Sequence, residues 1–287
     1  MRYDQIWDAA ESGNTPGRVF TSSINDEQII PKGAFLDHLL MGLKGAVSTA
    51  AVAIETFIGV LSQYTFKAGA ETRIQLSGRQ LVALMAFYYG QLPLIWENTD
   101  GTGNDFVFGI KVPIQEKIAD ERPLSHSATH ASVTNIGTET ILIYGAYFNE
   151  DKGKKPIHAV AIPYTTAAAA GLTNLGVKIP SIGKLLGLLV QHNSVFADGQ
   201  VYSSINHIQL VEDGLVSNYL PAAGGANLGP MRTVGVLDPM DDLLKVFSVF
   251  DFREDPIDLS GKTVEVKVDV QETSVATYII PIIERAI

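Results

Sequence analysis

The chain contains no cysteine. That single absence removes disulfide frameworks, thiol nucleophiles, iron–sulfur clusters and cysteine-based zinc sites together. Charge is also scarce, at 18% of residues, and basic side chains are the rarer kind, with 21 Lys and Arg against 31 Asp and Glu. A formal net charge of −10 argues against sequence-independent binding to phosphate backbones, which needs clustered Lys and Arg. No direct nucleic-acid partner is therefore expected. Long uninterrupted apolar runs are missing too. Met1-Arg2-Tyr3-Asp4-Gln5 leads into a charged stretch without the apolar core of a secretion signal, so none is expected. Ala46–Phe66 has the length of a membrane span, but it carries Glu55 among many Ser, Thr and Gln side chains, which disfavours a spanning helix.

What is present is 46% hydrophobic residues and a mean hydropathy of +0.15, too apolar for disorder and short of charge for a free-standing surface. Much of the exterior is expected to meet other protein. A length of 287 residues suits two domains better than one.

Tyr3, Ile6, Trp7 and Ala10 fall at helical spacing, so Met1–Glu11 is expected to be a short amphipathic helix, ended by the turn chemistry of Ser12–Gly17. Such a helix is too short to stand alone in water and must dock. Its own protein, a neighbouring subunit and a membrane surface are all open to it.

Beyond residue 17 strand signals dominate. In Thr263–Val270 apolar and polar residues alternate without error, as one buried face demands. Phe106–Val112, Ile141–Phe148, Val246–Phe252 and Thr277–Ile283 are further runs rich in β-branched and aromatic residues, punctuated by 26 Gly and 13 Pro. This is an all-β pattern of sandwich or barrel type with short helical inserts. Ser77 can cap one helix, with Leu81, Leu84, Met85 and Tyr88 on its inner face, Gly90 past its end and Pro93 forbidding continuation. Asp238 and Pro239 open a second candidate helix reaching Val246, and Ala167–Ala170 suits a linker or short turn.

The order of signals recurs. Ile30-Pro31-Lys32-Gly33 and the apolar run after it have a counterpart in Ile179-Pro180-Ser181-Ile182-Gly183. Ile74-Gln75-Leu76 corresponds to Ile208-Gln209-Leu210, Phe106-Val107-Phe108 to Val249–Phe252, and the strand from Thr140 to the one from Thr277. The separations all lie near half the chain length, which suggests a duplicated β-module. The expected division is an N-terminal amphipathic segment over 1–17, a first module over 18–150 and a second over 151–287, joined by the solvated link Asn149–Pro156.

Ile30–Leu36, a strand, a Gly/Ala/Thr-rich connection and Glu71–Leu81, with the C-terminal Phe250-Asp251-Phe252-Arg253, Asp258–Gly261 and last two strands, resemble double jelly-roll major capsid proteins of tailless, often membrane-containing icosahedral bacteriophages. The resemblance covers residues 18–287 and implies two tandem eight-stranded jelly-roll barrels. It implies a homotrimer with a pseudo-hexameric outline that tiles a virion shell, and minor capsid and penton proteins as partners. It further implies that the N-terminal segment, with Tyr3, Ile6 and Trp7 as anchor, lies on the inner side, against a subunit or an internal membrane.

Enzymatic chemistry finds little support. A bicupin would need His-x-His on a strand, and the closest pair here is His126 and His130, in a stretch that reads as loop. Gly-x-Ser-x-Gly, a phosphate-binding Gly-rich loop ending in Lys-Ser/Thr, and His-Glu-x-x-His are all missing. Gly224–Pro230 reads as a loop, and Asp238, Asp241 and Asp242, or Glu254, Asp255 and Asp258, read as solvated carboxylates before cation ligands. Tyr88, Tyr89 and Trp96 could line a sugar-binding surface or belong to a core or interface. The expected function is structural, with no catalytic residue, metal or cofactor. The alternatives are a carbohydrate- or receptor-binding viral spike and a bicupin-like metalloenzyme.

Overall fold

The computed structural model describes residues 1–6, 17–47, 52, 54–91, 93–97, 105–165, 171–172, 176–191, 205–219, 246–270 and 276–286. The chain divides into two compact units, Met1–Ile157 and His158–Ile287. The sequence-predicted link at 149–156 ends immediately before that division.

In the first unit the elements follow in order as β1 (Arg2–Gln5), β2 (Arg18–Val19), β3 (Ile24–Gln28), β4 (Phe35–Val47) and α1 (Ile54–Phe57), which runs into a 3-10 turn at Ile58–Val60. Then come β5 (Leu61–Ala68), β6 (Glu71–Leu76), α2 (Gly78–Tyr89), β7 (Leu94–Glu97), β8 (Asp105–Lys117), β9 (Leu124–His130) and β10 (Ile136–Phe148). All these pairings are antiparallel. One sheet runs β10, β4, β8, β7, with β1 and β2 on the free edge of β10. The other runs β3, β9, β5, β6. Alternation along the strands fixes the faces: Leu39, Met41 and Leu43 are buried in β4, and Ile141 and Ile143 in β10.

The second unit opens within β11 (Ile157–Val160) and continues through β12 (Ile162–Thr165), β13 (Gly171–Leu172), β14 (Val177–Ile179), β15 (Gly183–Gln191) and β16 (Ile205–Glu212). It is completed by β17 (Leu215–Tyr219), β18 (Phe247–Asp251), β19 (Ile257–Asp258), β20 (Val264–Val270) and β21 (Ala276–Arg285). β21 pairs with β12 and β15, and β15 with β18 and β19. The second sheet places β20 between β16 and the short β13 and β14, with β17 outside β16. Val264, Val266 and Val268 meet Leu185, Leu188, Phe250 and Ile283 in one buried cluster, the inner face that the alternating sequence predicts.

The two wirings agree in their main strands. β4 between β10 and β8 matches β15 between β21 and the pair β18 and β19; β3, β9, β5 and β6 match β14, β20, β16 and β17. One expected correspondence shifts. Ile74-Gln75-Leu76 lies in β6, whereas Ile208-Gln209-Leu210 lies in β16, whose partners make it the counterpart of β5. A three-residue identity cannot compete with ladder order.

α2 is built as its sequence predicts. Ser77 Oγ accepts from Gln80 N at 3.4 Å and Gln80 Oε1 accepts from Ser77 N at 2.9 Å, a reciprocal cap. Gly90 closes the helix in the left-handed region at φ 62°. Its burial exceeds the expected stripe, because every residue from Leu81 to Phe87 is covered. The reason is that α2 packs on β8 as well as on the 3-10 turn and β5, and Met85 Sδ accepts from the Lys111 backbone at 3.2 Å.

The expected N-terminal helix over Met1–Glu11 is corrected in its first half, and residues 7–11 lie outside the described residues. Arg2–Gln5 forms strand β1, paired with Tyr144–Tyr147 of β10. An open sheet edge offers those four residues a complete ladder, which an isolated helical turn cannot match. Ala46–Phe66 resolves into the end of β4, α1, the 3-10 turn and β5, and among the described residues no helix is long and apolar enough to cross a membrane. The second candidate helix, from Asp238, and Ala167–Ala170 lie outside the described residues.

Candidate interaction surface

Of the three predicted anchors, Ile6 is fully buried and its amide donates to Ile143 O at 3.2 Å, so it is spent inside the unit. Tyr3 is 47% exposed. Trp7 lies outside the described residues. The ladder carries Tyr3 opposite Ala146 and Ala146 opposite His38, and the small side chain between them lets the Tyr3 hydroxyl reach His38 Nε2 at 3.4 Å.

His38 is buried, and its Nδ1 donates to Asp37 Oδ2 at 2.8 Å. Neighbours on a regular strand point to opposite faces. Here register shifts between Leu36 and His38, and between Ala146 and Tyr147, break the alternation and let the two side chains meet. Lys154 Nζ donates to the other Asp37 oxygen at 2.8 Å. The His38 hydrogen bond, opposed by burial and helped by Lys154, pulls the Asp37 carboxyl down to about 2. Beside this pair stand two aromatic side chains at the end of α2. The Tyr89 ring meets His38 edge-on at 6.4 Å, Lys111 Nζ lies 4.1 Å above it, and Tyr88 accepts from Gln115 Nε2 at 2.5 Å. Burial drives the Tyr89 phenol upward, with the Asp37 charge adding to it. The arrangement locks an aromatic ledge in place. The Tyr3 phenol also meets His38 Nε2, so both ring nitrogens of His38 are engaged within the unit. Tyr88 and Tyr89 thus fall in one cluster; nothing is described of the Trp96 side chain.

A second charged group escaped sequence reasoning. Arg73 in β6 and Glu116 in β8 are each 1% exposed, with Nε to Oε2 at 3.0 Å. Arg73 Nη1 lies 2.8 Å from Glu71 Oε2, and Arg122 Nη1 3.5 Å from Glu116 Oε1. Burial raises the Glu116 carboxyl to about 7; Arg122 pulls against that rise and Glu71 adds to it.

The expected loop around His126 and His130 is strand β9, another correction, and it changes the metal argument. Four residues along a strand separate side chains by about 13 Å, beyond the reach of one ion. Among the described residues no three metal-ligating side chains cluster. Glu254 and Asp255 are exposed, and Asp258 Oδ1 accepts from Ser260 N at 3.0 Å as a turn residue. Asp238, Asp241, Asp242 and Gly224–Pro230 lie outside the described residues.

No family model matches the sequence, and neither does any curated protein. Solved structures do. The STIV MCP superposes with a TM-score of 0.66 at 12% identity, over 94% of this chain and 96% of that one. PBCV-1 VP54, fitted into a reconstruction of the virophage Sputnik, gives 0.60 at 10% identity over 94% and 90%. The major capsid protein P2 from bacteriophage PM2 gives 0.53 at 9% identity over 96% of both chains. Likeness that spans both units from end to end, with the main strand wiring repeated in each, makes this an all-β chain with the double jelly-roll fold of those three proteins.

Proposed function

We propose that the chain is a major capsid protein, a structural component that assembles with copies of itself into the shell of an icosahedral virion. The observation that carries this reading is coverage: the STIV MCP and this chain match over 96% and 94% of their lengths, so two barrels account for nearly all of the molecule. Surface chemistry supports it. An 18% charged content leaves a wall suited to lateral protein contact, and short edge strands such as the five-residue β3 limit open-ended strand pairing.

In this reading residues 18–150 and 151–287 are the two jelly rolls, three chains form a pseudo-hexameric capsomer, and capsomers meet minor capsid and penton proteins. Tyr3, held against His38, is the part of the N-terminal segment that touches a neighbouring subunit or an internal membrane. Light scattering and negative-stain microscopy of the purified chain test the proposal. A stable trimer that yields closed particles is expected; a strict monomer at high concentration overturns it.

A further inference from the structure

Arg18 and Glu27 close the first barrel along one side. Arg18 is in β2, at the edge of one sheet, and Glu27 in β3, at the edge of the other. Arg18 Nη1 donates to both Glu27 oxygens at 2.7 Å, so one ion pair joins the rims of the two sheets. Immediately inside lies His126. It stands opposite Glu27 on one side of β9 and opposite Phe66 on the other, and it is 1% exposed.

β3 is a short edge strand. It has five residues, a register shift between Ile24 and Glu27, and one neighbour in the ladder. Outside that ladder it is held by the Arg18 pair, by Lys67 Nζ on Asp26 Oδ2 at 2.8 Å, and by the loop before it, where Ser23 Oγ accepts from His130 N at 3.1 Å.

The geometry points to His126 as an acid-operated release for this latch: on taking up a proton it becomes a buried cation beside Arg18, draws the Glu27 carboxylate away from that guanidinium and parts the rim at β3 from the rim at β2. The groups facing it are Asp26 and Glu27 from β3, Arg18 from β2, and the Tyr64 ring from β5 at 6.0 Å. Lys67 of β5 reaches it only through Asp26, and His130, further along β9, faces Glu139 at 3.8 Å.

Burial lowers the His126 imidazole from 6.5 to about 4, against the pull of Glu27 and Asp26 and with the help of Arg18. A histidine that is harder to protonate when folded binds its proton better once exposed. Opening is therefore favoured progressively as pH falls from 6.5 through about 4. The latch lies wholly within the first unit and operates whether or not the chain assembles.

Hydrogen exchange read by mass spectrometry, with β10 peptides of the same sample as internal reference, tests this. Between pH 7 and 4.5 the peptides over residues 18–30 are expected to gain about tenfold or more in exchange relative to β10. His126→Gln is expected to abolish that gain, and Glu27→Gln to loosen the segment already at pH 7. A gain spread evenly over the barrel, no gain, or an unchanged gain in His126→Gln overturns the proposal. Should His126→Gln fail to fold, the imidazole titration of the unsubstituted chain by NMR, read beside the exchange of residues 18–30, decides: a midpoint below 5 is expected, and one at 5 or above overturns it.

Discussion

Gly183 lies against the carbonyl of Glu284 so closely that a Cβ added there would stand 2.1 Å from the oxygen. The same relation recurs in the first barrel, where a Cβ on Gly33 would stand 2.6 Å from Phe148 O. Each glycine sits where the chain enters the central strand, and each oxygen belongs to the last strand of its barrel. The repeated Ile-Pro…Gly signal thus marks a backbone crossing made twice. Gly183→Ala is expected to destabilise the second barrel by about 2–3 kcal/mol, because backbone atoms on both sides must move apart. Denaturant unfolding measures it, and an unchanged midpoint would show that the crossing is not rigid.

Arg73 and Glu116 form a pair whose rupture leaves a buried charge. At pH 8 the Glu116 carboxyl, raised to about 7, is ionised. Arg73→Met is then expected to cost about 3 kcal/mol, and the double substitution Arg73→Met with Glu116→Leu markedly less. Urea unfolding of the singles and the double gives the coupling directly; additive losses would deny the pairing.

Asp37 carries an acid-sensitive contribution of opposite sign to that of a raised carboxyl. Its folded value of about 2 lies below the ordinary 3.8, so the folded chain holds this carboxylate ionised where the unfolded chain protonates it. The stabilisation is complete above pH 4 and fades as pH falls through about 2. Asp37→Asn is expected to lose about 2 kcal/mol at pH 6 and almost nothing at pH 2. Thermal unfolding of both proteins at the two pH values checks this; equal losses would assign the effect to packing.

Ser77→Ala removes one half of the reciprocal cap on α2 and is expected to cost about 1 kcal/mol. Ser77→Asp, which restores an acceptor at the same place, is expected to recover most of it. Chemical denaturation of both variants measures the difference.

Local chemistry made part of this architecture legible. The cap at Ser77, the stop at Gly90 and the alternation of Val264, Val266 and Val268 each depend on residues within one or two turns, and each reappears in the fold. What could not be read depends on contacts across the barrel. Met1–Glu11 has helical spacing, yet Arg2–Gln5 pairs with Tyr144–Tyr147, an edge made available by residues far along the chain. Asp37 and His38 meet only because bulges disturb both β4 and β10, and Arg73 and Glu116 are 43 residues apart. No spacing rule contains such pairs.

The ladder of β10 has a consequence for how the chain is made. Its residues close on Arg2–Gln5 at one edge and on Phe35–Val47 at the other, so the opening strand waits for Phe148 to leave the ribosome before it gains a partner. Until then its hydrogen-bonding groups stay bare beside the half-formed wall. In the growing chain this edge therefore gains its ladder only after about half of the residues have been joined.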